Sequence, residues 1–284
     1  MFDLLAALLL GIIEGITEFL PISSTGHLLI AEHWLGARSD LFNIAIQAGA
    51  ILAVVLIYRQ RLWALALAFV GRSAPDGRSS VAPAMSDPVQ ARNYGFKLAG
   101  AFGVTAVLGL LVKKLGWQLD DAISPIAWAL IIGGVWMLLA EQLAARRALT
   151  LGERSNITWT VAILVGIAQV VAGVFPGTSR SAATIFVALL FGVTNRAAAT
   201  EFAFLVGIPT MFAATAYELL AIYRLDQVYG EDWTALGIAF IASTITAFVA
   251  VKWLLRYIQS HQFTVFAAYR LVVGVALLWF MPAG

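Results

Sequence analysis

The chain has 284 residues, of which 61% are hydrophobic and only 12% charged, about half the charged fraction of an average soluble domain. A net charge of +2 with no cluster of basic residues among aromatics excludes the footprint of a nucleic-acid-binding protein. The absence of cysteine excludes disulfides, thiolate metal sites and a cysteine nucleophile.

Apolar runs of about 20 residues, enough to cross a bilayer, recur along the chain. They do not alternate, as barrel strands would, so the fold class is an all-α polytopic membrane protein. No Lys or Arg precedes Arg38. The N-terminus therefore lacks the basic region of a cleaved signal peptide, and it carries no lipidation motif, so the first segment is expected to stay in the mature protein.

Taken in chain order, breaks in the pattern predict helical pieces at 2–20, 24–36, 42–69, 94–115, 124–145, 157–174, 179–191, 196–223, 233–257 and 264–281. The pieces 24–36 and 179–191 are too short to span, and each follows a helix-ending proline, Pro21 and Pro176. Broken helices at membrane depth belong in protein-lined cavities. Segments 2–36 and 157–191 are therefore expected to be re-entrant hairpins, beside about six full transmembrane helices. The competing reading makes 2–20 and 157–174 ordinary spans, each followed by a surface helix. The polar stretch 71–93 is expected to be a mobile cytoplasmic loop.

Positive charge sets the orientation. Arg59, Arg61, Arg72, Arg78 and Arg92, then Arg146, Arg147 and Arg154, then Lys252 and Arg256 mark the cytoplasmic side. Asp120, Asp121, Asp226, Glu231 and Asp232 mark the outer side, where Lys113, Lys114 and Arg224 weaken the bias without reversing it. The first hairpin is then expected to enter from the outer face and the second from the cytoplasm.

GIIEGITEFLPISST (11–25) aligns without gaps on GIAQVVAGVFPGTSR (166–180), placing Gly11 on Gly166, Pro21 on Pro176 and Ser24 on Ser179. The pieces also fall into two sets at about this offset. That predicts one integral membrane domain built from inverted-topology repeats, 1–145 and 157–284, as in transporter folds. The alternative is chance similarity between two Gly/Ala-rich stretches.

The polar residues cluster in the two aligned segments. Glu14 and Glu18 are four apart, on one helical face. Paired carboxylates in a membrane segment call for a cation between them, and oxygen ligands suit Mg²⁺ or Ca²⁺. Otherwise one is protonated, or both line a wet vestibule. After Pro21 a helix restarts around Ser23, Ser24 and Thr25, and its free N–H groups suit phosphate. One hydroxyl would serve as a plain N-cap, and three exceed that need. Gly26 permits close approach, and His27 lies one turn beyond Ser24 as an acid or base candidate. In the second segment, PGTSRSAAT, Gly177, Thr178, Ser179 and Ser181 repeat the helix start and Arg180 adds a cation. Its planar fork suits phosphate, and the plainer alternative is a salt bridge to Glu14 or Glu18. Spacing reaches as far as a site for a lipid-borne phosphate or diphosphate. It does not establish bond cleavage.

EGITEFLPISSTGH (14–27) and PGTSRSAAT (176–184) resemble the two signatures of the undecaprenyl-diphosphatase family of integral membrane proteins, also called bacitracin-resistance proteins. Ala182 stands where that family usually has Gly, and ATEFAFLVGIP (199–209) and FTVFAAYR (263–270) look like the family too. The resemblance covers essentially the whole chain. It implies a bacterial inner-membrane phosphatase that converts undecaprenyl diphosphate to undecaprenyl phosphate, the carrier lipid for peptidoglycan precursors. The family's inverted repeats, paired hairpins and outward-facing site match the architecture read above. By resemblance Glu14, Glu18, Ser24, His27 and Arg180 are the catalytic set. Ser23, Thr25, Gly26, Gly177, Thr178, Ser179 and Ser181 belong to the same motifs as substrate contacts. A divalent cation, Mg²⁺ or Ca²⁺, on Glu14 and Glu18 is likewise expected.

On that basis Arg180 and the N–H groups hold the diphosphate, Ser24 attacks the terminal phosphorus, and His27 or Glu18 takes its proton. Direct water attack stays open, as does a lipid-phosphate flippase using the same anion site. The partner is a polyprenyl diphosphate lipid, and a homodimer is left open. Elsewhere, Gln47 is expected to bond the first hairpin or serve helix packing, and Glu201 to be a first-turn carboxylate. His33 and Glu32 are placed at the interface, and His261 is assigned no role. Trp34, Trp63, Trp117, Trp233 and Trp279 are expected to form an aromatic belt. Gly11 and Gly15 are expected to permit close helix packing.

Overall fold

The computed structural model describes residues 2–72, 87–116, 123–224 and 231–280. Most of the expected loop 71–93 lies outside the described residues, as do Arg78, Trp117, Asp120, Asp121 and Asp226. The secondary structure among the described residues is helical: α1 Phe2–Thr17, α2 Ser24–Leu35, α3 Asp40–Phe69, α4 Pro88–Lys114, α5 Ile123–Leu151, α6 Trp159–Val174, α7 Arg180–Leu190, α8 Arg196–Arg224, α9 Trp233–Tyr257 and α10 Thr264–Phe280. Five of them, α3, α4, α5, α8 and α9, are long and apolar enough to cross a bilayer. The expected sixth span, α10, has 17 residues, about 26 Å at 1.5 Å per residue.

Helix ends follow local chemistry. Ser39 caps α3 by accepting from Phe42 N at 3.1 Å, and Asp232 caps α9 by accepting from Thr234 N at 2.9 Å and Ala235 N at 3.1 Å. Helix α4 starts at Pro88, not at 94 as hydropathy suggests, because Asp87 accepts from Val89 N at 2.9 Å and Pro88 needs no N–H partner in the first turn. Helix α5 runs beyond 145 until Gly152, whose φ of 73° ends it. Polar residues continue a helix that a lipid-scaled pattern would have stopped.

The packing is crosswise. Helix α1 packs on α9, α6 packs on α4, and α5 packs on α10. Thus the first helix of each half lies on the fourth helix of the other, and the two fifth helices lie together. The contacts rest on small residues and hydroxyls, as expected where lipid gives helices no hydrophobic drive to associate. A Cβ on Gly11 would stand 2.3 Å from Ala239 O, and one on the aligned Gly166 would stand 2.6 Å from Ala101 O. Ser243 Oγ donates to Ile46 O at 2.6 Å, and Thr105 Oγ1 donates to Gly166 O at 3.0 Å. Apolar side chains such as Val107, Ile132, Leu139, Ile241 and Val249 point outward from α4, α5 and α9, as a multi-pass membrane protein requires.

Gly15 gives a direct test of this packing. A Cβ there would lie 2.1 Å from Thr246 Oγ1 and 2.4 Å from Ser243 O, whereas one on Gly109 would meet nothing within 4 Å. Gly15→Ala is expected to lower stability by about 1–3 kcal/mol, the usual cost of overpacking. Gly109→Ala should be neutral, and thermal unfolding in detergent would compare them.

Two charges differ from expectation. Arg61 is buried rather than flanking the cytoplasmic loop, and Glu201 is not a plain first-turn carboxylate. Arg61 Nε and Nη2 lie 2.8 and 2.7 Å from Glu201 Oε1, joining α3 to α8. Burial explains the difference, because a buried guanidinium needs a carboxylate wherever the fold supplies one. Gln47 makes no side-chain hydrogen bond among the described residues. The tryptophans of the expected belt that lie within the described residues, Trp34, Trp63, Trp233 and Trp279, are exposed.

Candidate active site

Two elbows interrupt the helices. Between α1 and α2 the chain turns through Pro21 to Ser23, and between α6 and α7 through Pro176 to Ser179. Ser23 (φ 76°, ψ 99°) and Ser179 (φ 68°, ψ 110°) are the non-glycine residues with positive φ among the described residues. Such strain costs about 1–3 kcal/mol each and concentrates where surrounding structure enforces it. Each strained serine immediately precedes a helix, so Ser23 is the structural counterpart of Ser179. This corrects the ungapped alignment, which put Ser24 on Ser179. The second elbow holds one more residue, Gly177 and Thr178 standing where the first has only Ile22. Gly177 sits at φ 90°, and a Cβ there would lie 2.9 Å from Ile126 O. Past the slip, Ser24 and Arg180 become counterparts, each the first residue of its helix.

Glu18 joins them. The Ser24 hydroxyl donates to Glu18 Oε2, and Arg180 Nη2 donates to Glu18 Oε1. Hydroxyl and guanidinium therefore both lie within the reach of a single carboxylate, so one phosphate group could touch both. Glu18 is buried, Ser24 and Arg180 partly so. Glu14, one turn back along α1, is 1% exposed and its Oε2 has no partner. Gln169 stands at Glu14's aligned position in α6 and its amide donates to Thr105 Oγ1 at 2.9 Å. One half thus carries a carboxylate with an unpartnered oxygen where the other carries an amide that donates to a neighbouring helix.

The remaining predicted residues divide by role. Ser179 caps α7 by accepting from Ala182 N at 3.3 Å, and Ser181 Oγ donates to Leu20 O at 3.0 Å, tying the second elbow to the first. Both hydroxyls are occupied within the protein. Ser23 makes no side-chain cap hydrogen bond, so the first-turn N–H groups of α2 keep their donors free. Thr25 is exposed beside them, while Gly26 is buried, a Cβ there lying 3.1 Å from Ile126 Cγ2. His27 is near the elbow, yet neither ring nitrogen bonds Ser24: Nδ1 is 2.7 Å from Ser23 O and Nε2 2.7 Å from Tyr269 Oη. Glu18 and Arg180 line a cavity of about 10 Å³ together with Phe19, Ala203, Phe204 and Gly207, room for about one water.

Sequence reasoning missed Arg270. It is fully buried and donates only to backbone carbonyls: Nη1 to Thr178 O at 3.0 Å and Pro21 O at 3.5 Å, and Nη2 to Gly177 O and Ala129 O, each at 3.0 Å. Nε donates to Leu130 O at 3.4 Å. One guanidinium thus ties both elbows to α5, and it has room because Gly133 has no Cβ, which would lie 2.1 Å from Nη2. The signal was present, since an arginine amid the apolar α10 is a functional flag by default.

The donor set bears on a cation. No three His, Cys, Asp or Glu side chains gather among the described residues, so those residues alone offer no full cage. Glu14 with its unpartnered oxygen, beside Glu18, fits Mg²⁺-type binding, which uses one or two carboxylates and completes its shell with substrate phosphate and water.

The profile of the family described as Bacitracin resistance protein BacA matches residues 7–276. This chain belongs to that family. The matched residues include both elbows, Glu14, Glu18, Tyr269 and Arg270. Among its relatives is an undecaprenyl-diphosphatase from Rhizobium johnstonii, 62% identical over 282 residues that cover 99% of this chain and 98% of the relative. Another, from Xanthomonas euvesicatoria pv. vesicatoria and also called undecaprenyl-diphosphatase, is 59% identical over 283 residues, covering 100% of this chain and 99% of the relative. A third with that name, from Xanthomonas campestris pv. campestris, is 58% identical over the full length of both chains. These similarities cover nearly the whole chain, as the two signatures imply.

Proposed function

We propose that this chain is a membrane phosphatase that hydrolyses undecaprenyl diphosphate to undecaprenyl phosphate and inorganic phosphate. The observation that carries the reading is the bridge of Glu18 between the Ser24 hydroxyl and the Arg180 guanidinium, in a chain similar from end to end to undecaprenyl-diphosphatases. A carrier needs an anion site and has no use for a hydroxyl poised on a carboxylate, so nothing in the site favours a flippase.

The mechanism follows from the atoms. The terminal phosphate enters between Arg180 and the first-turn N–H groups of α2, which counter its charge as negative charge builds on the transferring group. Arg180 shifts from Glu18 to phosphate, where its planar fork fits equally well. Glu18, relieved of its cation, takes the Ser24 proton as Oγ attacks the terminal phosphorus. The bond from that phosphorus to the bridging oxygen breaks, and undecaprenyl phosphate leaves with that oxygen. Water then attacks the phosphoserine, Glu18 returns its proton to Ser24 Oγ, and inorganic phosphate is released. Glu14 and Glu18 would hold a divalent cation together with diphosphate oxygens. When bound, it supplies charge screening at the phosphates.

The membrane setting completes the proposal. The crosswise packing of α1 on α9 and α6 on α4 supports inverted repeats 1–145 and 157–284, with α1–α2 and α6–α7 as re-entrant hairpins. In our reading the protein sits in the bacterial inner membrane, and the charge bias supports a site open to the outer face.

Purified protein in detergent, given a polyprenyl diphosphate, is expected to release phosphate without any bilayer. A chelator should slow release by at least about tenfold, since a catalytic cation contributes several kcal/mol. No release in detergent would refute the enzyme reading. Full release under chelation would remove the cation from Glu14 and Glu18.

A further inference from the structure

We propose that Tyr269 is a positioning residue for this reaction, acting through His27 on the elbow that presents Ser24. The proposal rests on the reading of Ser24 as nucleophile. It begins from an asymmetry between the two elbows. Ser179 holds its own strained turn, its hydroxyl accepting from Ala182 N at 3.3 Å. Ser23 has the same backbone conformation and makes no side-chain cap hydrogen bond, so its turn is held from elsewhere.

The brace is a chain of hydrogen bonds from α10. His27 Nδ1 lies 2.7 Å from the Ser23 carbonyl oxygen. A carbonyl only accepts, so Nδ1 carries the proton and Nε2 of the neutral ring is left with the lone pair. Tyr269 Oη lies 2.7 Å from Nε2 and donates to it, with the two ring planes 9° apart. The Ser23 carbonyl thus sets the tautomer, and the Tyr269 hydroxyl reinforces it by satisfying the lone pair left on Nε2. Arg270, the next residue, fastens Pro21 O on the same elbow. Neither nitrogen of His27 is directed at Ser24, whose hydroxyl donates to Glu18. His27 therefore holds the elbow and moves no proton from Ser24.

The test uses the full chain in detergent, labelled with ¹⁵N-histidine. The chain has three histidines, so His33→Gln and His261→Gln assign the signals. The resting protein is expected to show His27 with one protonated and one unprotonated nitrogen, and Tyr269→Phe to shift the unprotonated Nε2 signal as it loses its donor. With a polyprenyl diphosphate, Tyr269→Phe is expected to lower kcat by about tenfold or more, the usual cost of losing a supporting partner, with KM changed by less than about twofold. His27→Asn keeps a donor at the Nδ1 position and lacks a titrating ring. It is expected to turn over at least about tenfold faster than His27→Leu. An unchanged nitrogen spectrum in Tyr269→Phe would overturn the proposal, and so would equal turnover in His27→Asn and His27→Leu. The spectrum is read without substrate, so it stands apart from the nucleophile assignment. Normal turnover in Ser24→Ala would sink that assignment and leave the tautomer result intact.

Discussion

Ser24→Ala is expected to lower kcat by about 10³-fold or more, the scale of losing an activated nucleophile while the binding groups remain. KM should change little, because Arg180 and the α2 N–H groups still receive the phosphate. The fold should tolerate the change: Ser24 contributes one partly buried hydrogen bond to the Glu18 carboxylate, about 1.5–3 kcal/mol net. Acid quenching of the wild-type protein during turnover should yield phosphoserine at position 24, and the variant should yield none. Near-normal turnover in Ser24→Ala would end the nucleophile assignment. An inactive variant with no trapped phosphoserine in the wild type would make Ser24 a donor to the phosphate, with water attacking directly.

Arg180→Ala is expected to lose both turnover and stability, for separable reasons. An arginine on a transferring phosphoryl group contributes about 10³–10⁵ in rate, so turnover should fall at least about 10³-fold. The partner, Glu18, has a side chain only 5% exposed, and removing one member of a buried pair costs about 3–5 kcal/mol. Adding Glu18→Gln to Arg180→Ala removes the stranded charge. The double variant should therefore regain most of the lost thermal stability and none of the activity. Recovery of turnover would show that Arg180 serves only to neutralise Glu18. Turnover within about tenfold of wild type in Arg180→Ala alone would remove it from the reaction.

Much of this architecture is readable from the chain because lipid imposes strict rules. A helix must satisfy its own backbone, so apolar length marks α3, α8 and α9, and a proline followed by hydroxyl residues marks each elbow. Glu14, Glu18 and Arg180 stand out for the same reason, as charges placed where charge is costly. What escaped were relationships across distance. Arg61 reads as a loop-flanking charge until α8 brings Glu201, 140 residues away, to its guanidinium. The counterpart of Ser24 is Arg180 and not Ser179, because one extra residue after Pro176 shifts the register, and an ungapped comparison is blind to it. Tyr269 and Arg270 lie in a stretch whose hydropathy announces only a membrane helix. Their partners at the elbows are up to 249 residues away.

The fastening by Arg270 also sets an order of assembly. Both elbows are synthesised and inserted well before α10, and until that helix arrives the carbonyls of Pro21, Gly177 and Thr178 lack their shared donor. A chain without residues 264–280 would keep Glu18, Ser24 and Arg180 and lose the one donor that the two elbows share. The two elbows therefore reach their final shape only once α10 has packed against α5 and brought Arg270 between them.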